Sequence, residues 1–148
     1  MNIRFAKVED ADAIAGFQVA MALETEDRVL DAEVVAGAVR DVFADGMKGF
    51  YVVAEDAGEV VGSLMISYEW SDWRRGWWWW IQSVYIKPKA RGRHIYSLMY
   101  EFVKQKAQHA GNVKGIRLYV ETENEHAQRV YEKLGMSRSP YFMYDAEL

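Results

Sequence analysis

The sequence contains no cysteine, which excludes a disulfide framework, thiolate metal sites and a cysteine nucleophile. It contains only two prolines, Pro88 and Pro140, and no proline-rich linker divides the chain. The longest uncharged apolar run, residues 76–86, is about half as long as a membrane-spanning helix requires. The charged N-terminal residues 1–10 lack the apolar centre of a signal peptide. We therefore expect a cytoplasmic protein with no membrane partner.

An excess of positive charge is also absent. The chain has 18 lysine and arginine residues and 22 aspartate and glutamate residues, which gives a net charge of −4. Nucleic acids attract proteins of the opposite sign, so we expect no nucleic-acid partner. The same balance disfavours a nucleic-acid site built from Arg74, Arg75 and the neighbouring tryptophans. The histidines His94, His109 and His126 lie in contexts that do not suggest a metal site, and no metal is predicted.

Hydrophobic residues make up 51% of the 148 residues, which is typical of one globular domain. We therefore predict a single domain over residues 1–148. Apolar runs and alternating patterns predict strands, and apolar residues at helical spacing predict helices. The predicted strands cover residues 2–5, 48–54, 59–69, 77–86, 115–120 and 141–146. The predicted helices begin near Asp10, Asp31, Ile95 and Asn124, and the last two end at Gly111 and Gly135.

The second half of the chain alternates strand, helix, strand and helix. This order requires at least one parallel strand pair with a right-handed crossover. The nearly unbroken apolar strand 77–86 fits a central position with both faces covered. We therefore predict an α/β (α+β) fold, with a single mixed, mostly antiparallel sheet of about six to seven strands and helices on both faces.

A basic loop joins this central strand to the third predicted helix. The first N–H groups of a helix lack main-chain partners, and the helix dipole makes that end positive. Lys89, Arg91 and Arg93 add full positive charges next to these groups. A pyrophosphate group would fit this arrangement, and a solvated basic loop is an equally good interpretation of the same residues.

This segment resembles the signature of the GNAT superfamily of N-acetyltransferases. In that family a strand ends in Val-x-Pro, and Arg-Gly-x-Gly-x-Gly/Ala then opens a helix. Residues 86–88 read Ile-Lys-Pro and residues 91–92 read Arg-Gly, while His94 and Tyr96 replace the two later glycines. Main-chain N–H groups bind the pyrophosphate in the family, and every residue here keeps one, although side chains now crowd the loop.

A second segment also resembles the family, whose pattern there is Asn-x-x-Ala-x-x-x-Tyr-x-x-x-Gly-Phe. This chain has Asn124, Ala127, Tyr131 and Gly135 at the matching positions, and Met136 in place of the phenylalanine. The two segments occur in the order and at the separation that the family shows. The resemblance covers nearly the whole chain and implies a GNAT-like fold.

The resemblance implies direct transfer of an acetyl group from acetyl-CoA to an amine, without a metal or a covalent enzyme intermediate. It implies that the main chain near Val84, Tyr85 and Ile86 binds the thioester carbonyl. It places the pyrophosphate on the loop and the helix start, at Arg91, Gly92, Arg93, His94, Ile95, Tyr96 and Ser97. It makes Tyr131 the proton donor to the CoA thiolate, although the apolar stripe of its helix alone favours a core tyrosine. Asn124 then binds the pantetheine arm or caps its helix.

The attacking amine also needs a base that takes its proton. Glu69, at the end of a strand, is the first candidate, and Glu24 and Glu26 are the next. The predicted acceptor-binding residues are Glu24, Glu26, Trp70 and Asp72, because the family builds this site from the first two helices and the loop that follows Trp70. Their charge favours a cationic amine as the partner, either a small molecule or a side-chain or polyamine nitrogen.

All six tryptophans lie between residues 70 and 80. Strand alternation predicts that Trp77 and Trp79 face one side of the sheet and Trp78 and Trp80 the other. Core filling explains most of these rings, and a homodimer interface is an equal alternative for part of the segment. The two arginines in the same loop equally suit the carboxylate of an amino-acid-like acceptor.

The sequence leaves a second function open, that of a catalytically silent relative that binds acyl-CoA or another small ligand. The replacement of two glycines by His94 and Tyr96 and the unassigned base keep this alternative open. Binding of acetyl-CoA without acetyl transfer would distinguish it from the enzyme.

Overall fold

The computed structural model describes residues Met1–Leu148, which form two compact units, Met1–Leu118 and Tyr119–Leu148. The elements of the first unit are β1 (Asn2–Phe5), α1 (Ala11–Glu26), α2 (Ala32–Ala44), β2 (Phe50–Asp56), β3 (Glu59–Ser71), β4 (Gly76–Ile86), α3 (Ile95–Ala110) and β5 (Val113–Arg117). Short 3₁₀ turns at Val8–Asp10 and Pro88–Ala90 precede α1 and α3. The second unit contains one helix, α4 (Glu125–Lys133). None of the four helices combines the length and the apolar content that crossing a membrane needs.

The strands form one sheet in the order β1-β2-β3-β4-β5. The first three neighbouring pairs are antiparallel, and β4 and β5 are parallel. Helix α3 connects the two parallel strands, as a crossover between parallel neighbours must. The predicted mixed, mostly antiparallel sheet is therefore confirmed.

The number of strands is five rather than about six to seven, because the segment 141–146 predicted as the last strand is not a strand. The main-chain N–H of Tyr141 donates to Ser139 Oγ at 3.2 Å. Such local bonds between a serine side chain and the main chain compete with strand pairing. The intervening Pro140 also has no N–H to give to a neighbouring strand. The strand predicted at residues 141–146 from their apolar pattern is therefore wrong.

Helices cover both faces of the sheet, as predicted. Val52 and Val53 are neighbours on β2, so their side chains point to opposite faces, and both are fully buried. Val53 belongs to a core cluster with Ile14 of α1, and this side is the α1 face. Phe5 pairs with Val52 across β1 and β2, and Phe102 of α3 packs edge-on against Phe5 with ring centroids 5.2 Å apart. This second side is the α3 face.

Strand β4 carries a β-bulge near its end. Ser63 of β3 pairs with Tyr85, while Met65 pairs with Gln82, so one β3 residue lies opposite two β4 residues. Ser83 absorbs the extra residue in a left-handed conformation, with φ 55°. The ladder between β4 and β5 ends before the bulge. The last residues of β4 therefore follow a local change in strand direction.

Candidate functional site

The predicted site residues lie at the end of α1, on β3 and its following turn, at the end of β4, at the start of α3, and on α4. They are, in that order, Glu24 and Glu26; Glu69, Trp70 and Asp72; Val84, Tyr85 and Ile86; Arg91, Gly92, Arg93, His94, Ile95, Tyr96 and Ser97; and Asn124 and Tyr131. All but the last two belong to the first unit.

The loop before α3 contains two left-handed residues. Gly92 has φ 78°, and His94, which directly precedes α3, has φ 58°. The His94 side chain makes no capping hydrogen bond, and the main-chain bond from Leu98 N–H to the His94 carbonyl is 3.2 Å long. The N–H groups of Ile95 and Ser97 precede this bond, and such groups at a helix start are donors for an anion. The start of α3 therefore keeps its donors although larger side chains replace the family's glycines.

Two basic side chains around this loop pair with acidic residues of the β2–β3 hairpin. Arg93 Nη1 donates to Asp56 Oδ2 at 2.7 Å, and Lys87 Nζ donates to Glu59 Oε1. These hydrogen bonds lower the pKa of both carboxyl groups below their ordinary values. Much of the positive charge around the loop is thus offset within the protein. The main-chain donors then supply a larger share of the attraction for an anion than the basic sequence suggests.

Arg91 links the end of β4 to the end of α1. Its Nε donates to the Ile86 carbonyl at 2.9 Å, and its Nη2 donates to Glu24 Oε2 at 2.7 Å. The Tyr85 hydroxyl donates to Glu24 Oε1 at 3.3 Å. The hydrogen bond from Arg91 lowers the pKa of Glu24, which makes this carboxylate a weaker base than an unpaired one.

Glu69, the first candidate for the base, lies on the α1 face of β3 with both of its oxygens engaged. Trp80 Nε1 donates to Oε1 at 3.2 Å, and Arg117 Nη1 donates to Oε2 at 2.7 Å. The Arg117 guanidinium also stacks on Trp78, 3.8 Å from the ring centroid. A carboxylate has about four lone-pair positions, so these two donors leave room for a proton from an amine.

The predicted acceptor residues lie on different elements, at the end of α1, on β3 and in the turn after β3. Trp70 follows Glu69 on β3, so its side chain points to the α3 face. There its ring packs edge-on against Trp77, with centroids 4.9 Å apart. Asp72 lies in the exposed turn after β3, and Glu26 lies at the exposed end of α1. Glu69 and Trp70 therefore lie on opposite faces of the sheet.

The tryptophans of β4 alternate as predicted. Trp77 and Trp79 both contact Tyr68 on the α3 face, with ring centroids 6.0 and 6.3 Å apart. Trp78 and Trp80 lie on the α1 face, where the Arg117 guanidinium contacts both rings. Each pair of tryptophan rings therefore packs on its own face of the sheet.

In the second unit, the motif residues fix both ends of α4. Asn124 Oδ1 accepts a hydrogen bond from Ala127 N–H at 3.1 Å, so this side chain caps the helix. At the other end Gly135 is left-handed, with φ 93°, and Met136 N–H donates to the Tyr131 carbonyl at 3.0 Å. Tyr131 is half-buried, and burial raises the pKa of its hydroxyl.

Arg117 is the residue of this site that the sequence analysis missed. It lies 48 residues after Glu69, so no local spacing connects the two. The only signal was a basic residue in the strand that pairs with the tryptophan-rich strand. The structure contains no group of three or more side chains that could hold a metal ion.

The sequence matches the acetyltransferase (GNAT) family over residues 16–136. No curated protein matches it. A solved structure described as a possible acetyltransferase from Clostridium difficile 630 is 40% identical to this chain, with a TM-score of 0.92. The match covers 99% of this chain and 97% of that one.

Two less similar structures share the fold. A "predicted acetyltransferase with acetyl-CoA" from Clostridium acetobutylicum is 16% identical over 98% of this chain and 95% of that one, with a TM-score of 0.80. A transcriptional regulator from Bacillus halodurans C-125 is 21% identical over 99% of both chains, with a TM-score of 0.83. At these identities the likeness concerns the fold alone. From the family match and the 40% identical structure, the chain belongs to the GNAT family of acetyltransferases.

Proposed function

We propose that this acetyltransferase moves the acetyl group of acetyl-CoA to the primary amine of a small molecule by direct attack. The observation that carries the proposal is the start of α3, where the left-handed residues Gly92 and His94 lead into the helix and the His94 side chain makes no capping hydrogen bond. A pyrophosphate is the part of CoA whose charge suits such a group of main-chain donors. Arg91 and Arg93 adjoin the same loop and supply positive charge at its edge.

The bulge in β4 supports a role for Val84, Tyr85 and Ile86 in binding the thioester carbonyl. A bulge turns the peptide groups of a strand away from the regular ladder, and here it follows the end of the pairing with β5. A main-chain N–H of this segment would donate to the carbonyl oxygen, where negative charge develops during the attack.

In the proposed reaction the amine nitrogen attacks the carbonyl carbon, and the bond between carbon and sulfur breaks. Glu69 takes the proton that the ammonium group must lose before it attacks. Tyr131 donates its phenolic proton to the departing sulfur, and the nitrogen releases its second proton to solvent as the amide forms. Tyr131 then regains a proton from solvent. Burial supports this role, because a raised pKa keeps the hydroxyl protonated at neutral pH.

The proposed acceptor is a small amine with a positive charge. The carboxylates of Glu26, Glu69 and Asp72 support this choice through their charge. Arg74 supports an acceptor that also carries a carboxylate, since its guanidinium lies 5.0 Å from the centroid of the Trp78 ring on the same face as Glu69. The test therefore needs amines of both kinds.

Binding and turnover can be measured separately. Calorimetry with acetyl-CoA and desulfo-CoA measures binding, for which we expect dissociation constants of about 1 μM to 1 mM, the usual range for enzyme substrates. A thiol-release assay with polyamines, amino sugars and amino acids then measures transfer. Release that depends on both acetyl-CoA and an amine supports the proposal, and a failure to bind either CoA compound contradicts it.

A catalytically silent acyl-CoA-binding module is the second candidate. The engagement of both Glu69 oxygens by Trp80 and Arg117 favours it, because these donors compete with an incoming ammonium group. Such a module would bind acetyl-CoA in the calorimeter and release no thiol with any amine of the panel.

A further inference from the structure

Glu24, Tyr85 and Arg91 form a hydrogen-bonded network that joins three parts of the first unit, named here the Arg91 clamp. Glu24 accepts from Arg91 Nη2 at 2.7 Å and from the Tyr85 hydroxyl at 3.3 Å. Arg91 Nε donates to the Ile86 carbonyl at 2.9 Å. The clamp thus connects the last turn of α1, the end of β4 and the loop before α3.

Aromatic packing holds the same side chains in place. The Tyr85 ring is buried and packs against Phe17 of α1, with centroids 5.2 Å apart. The Arg91 guanidinium lies 5.6 Å from the centroid of the Tyr85 ring. Hydrogen bonds therefore hold the Nε and the Nη2 of Arg91, and the Tyr85 ring contacts one face of its guanidinium. Half of the Arg91 side chain is nevertheless exposed.

The clamp uses only part of the donor capacity of Arg91. A guanidinium has about five N–H donors, and the bonds to Ile86 and Glu24 use two of them. Arginine suits phosphate groups because its donors lie in one rigid plane. A side chain that is fixed before its ligand arrives also loses less conformational freedom on binding.

We propose that Glu24 is a positioning residue for the acyl donor: by holding Arg91 against the end of β4, it directs the remaining Arg91 donors to the pyrophosphate of CoA. This role rests on the proposed acetyl-CoA-dependent function and deepens it. It differs from the roles of base and acceptor ligand, because Glu24 acts here only through Arg91, whose Nη2 donates to it.

The direction in which Glu24→Gln changes the affinity for CoA distinguishes an effect of Arg91 orientation from an effect of the Glu24 charge. A negative charge beside Arg91 weakens its attraction for an anion, whereas a fixed orientation strengthens its binding of a pyrophosphate. If orientation dominates, Glu24→Gln weakens CoA binding, because a neutral amide accepts a weaker hydrogen bond from Arg91 than a carboxylate does. If charge dominates, the same change tightens CoA binding.

Calorimetry of CoA binding to Glu24→Gln tests the proposal. We expect the dissociation constant to rise about five- to tenfold, the effect of one ordinary hydrogen bond. Pantetheine lacks the pyrophosphate, so its inhibition constant in the thiol-release assay is expected to stay unchanged. Asp27→Asn is the matched control, since it removes a negative charge next to the same end of α1 outside the clamp, and we expect less than about a twofold change in CoA affinity.

A double-mutant cycle tests whether Glu24 acts through Arg91. Arg91→Ala alone is expected to weaken CoA binding, and adding Glu24→Gln to it is expected to cause no further loss. Tyr85→Phe removes the longer bond of the clamp and is expected to give a smaller loss in the same direction. This variant keeps the test decisive if thermal unfolding shows that Glu24→Gln does not fold.

Three results would overturn the role of Glu24. They are unchanged or tighter CoA binding by Glu24→Gln, an equal loss for pantetheine, and additive losses for Glu24→Gln and Arg91→Ala. In each of these cases the unaltered protein still binds CoA. A failure of the unaltered protein to bind CoA is a different outcome, because it contradicts the proposed function itself.

Discussion

Burial sets the protonation of Tyr131, the residue that the family resemblance makes the acid. Water stabilises a phenolate better than a protein interior does, so burial moves the pKa of this hydroxyl above its ordinary value of about 10. The apolar stripe of α4, which on its own suggests a core residue, therefore does not argue against catalysis. The same burial that packs the ring keeps the proton on the oxygen.

Tyr131→Phe is expected to lower kcat by about 10²- to 10⁴-fold, the usual contribution of a general acid. The dissociation constant of acetyl-CoA should change little, because the substitution removes only the hydroxyl group. Steady-state kinetics and calorimetry on the same preparation check both statements. Tyr144→Phe is the control, since Tyr144 is an exposed tyrosine of the same unit. Unchanged kcat in Tyr131→Phe would assign the proton to water or another group.

Individual contacts were the part of the site that the sequence could not predict. The ion pairs of Glu24 with Arg91 and of Glu69 with Arg117 span 67 and 48 residues. Spacing rules describe neighbours on one helix or strand, so they carry no information about partners on different elements. Asn124 was predictable because a helix cap is a local contact, and the structure shows this side chain capping α4.

Among the elements, those with strong local signals were predicted well. Gly111 and Gly135 end α3 and α4 with φ 80° and 93°, conformations that glycine adopts without a steric penalty. The apolar run of β4 correctly predicted a strand with neighbours on both sides. Its bulge was not predictable, because an extra residue is defined only against the partner strand. The predicted strand at 141–146 was wrong because hydrophobicity alone does not decide strand pairing.

The bulge gives an element-scale prediction at Ser83, whose φ is 55°. Any non-glycine residue in this left-handed conformation costs about 1–2 kcal/mol, because its Cβ crowds the following carbonyl oxygen, and Ser83 already bears this cost. Ser83→Val keeps the Cβ and adds a second branch to it, so it is expected to lower the free energy of unfolding further. Ser83→Gly, which removes the Cβ, is expected to keep or raise stability. Urea unfolding of the two variants checks the order, and equal stability would contradict a strained bulge.

At the scale of the whole molecule, the order of the predicted elements indicated the fold class, whereas the net charge does not describe the surroundings of a ligand. An apolar content of 51% and a regular alternation of elements specify one mixed sheet with helices on both faces. The net charge of −4 includes residues that neutralise one another locally, as Arg93 does with Asp56 and Arg91 with Glu24. The charge around a bound ligand therefore depends on such ion pairs, and the net charge of the chain does not predict it.

Buried tyrosines make stability depend on pH in the alkaline range. Burial is the chief cause that raises the pKa of five hydroxyl groups, those of Tyr51, Tyr68, Tyr85, Tyr100 and Tyr131. In the unfolded chain these groups lose their protons near pH 10, whereas the folded protein retains them to a higher pH. Above about pH 10 the unfolded state therefore binds fewer protons, and the free energy of unfolding falls as pH rises.

Urea midpoints measured at half-unit steps between pH 8 and pH 11 are expected to stay level at first and then fall from about pH 10, the ordinary pKa of tyrosine. Tyr51→Phe should make the fall shallower, because its ring lies in the core beside Phe43 and its hydroxyl no longer has to be kept neutral. Tyr144→Phe should leave the slope unchanged, since this exposed hydroxyl ionises alike in both states. A midpoint that stays level through pH 11 in the unaltered protein would show that the folded tyrosines ionise as freely as the unfolded ones, and that burial does not hold their protons.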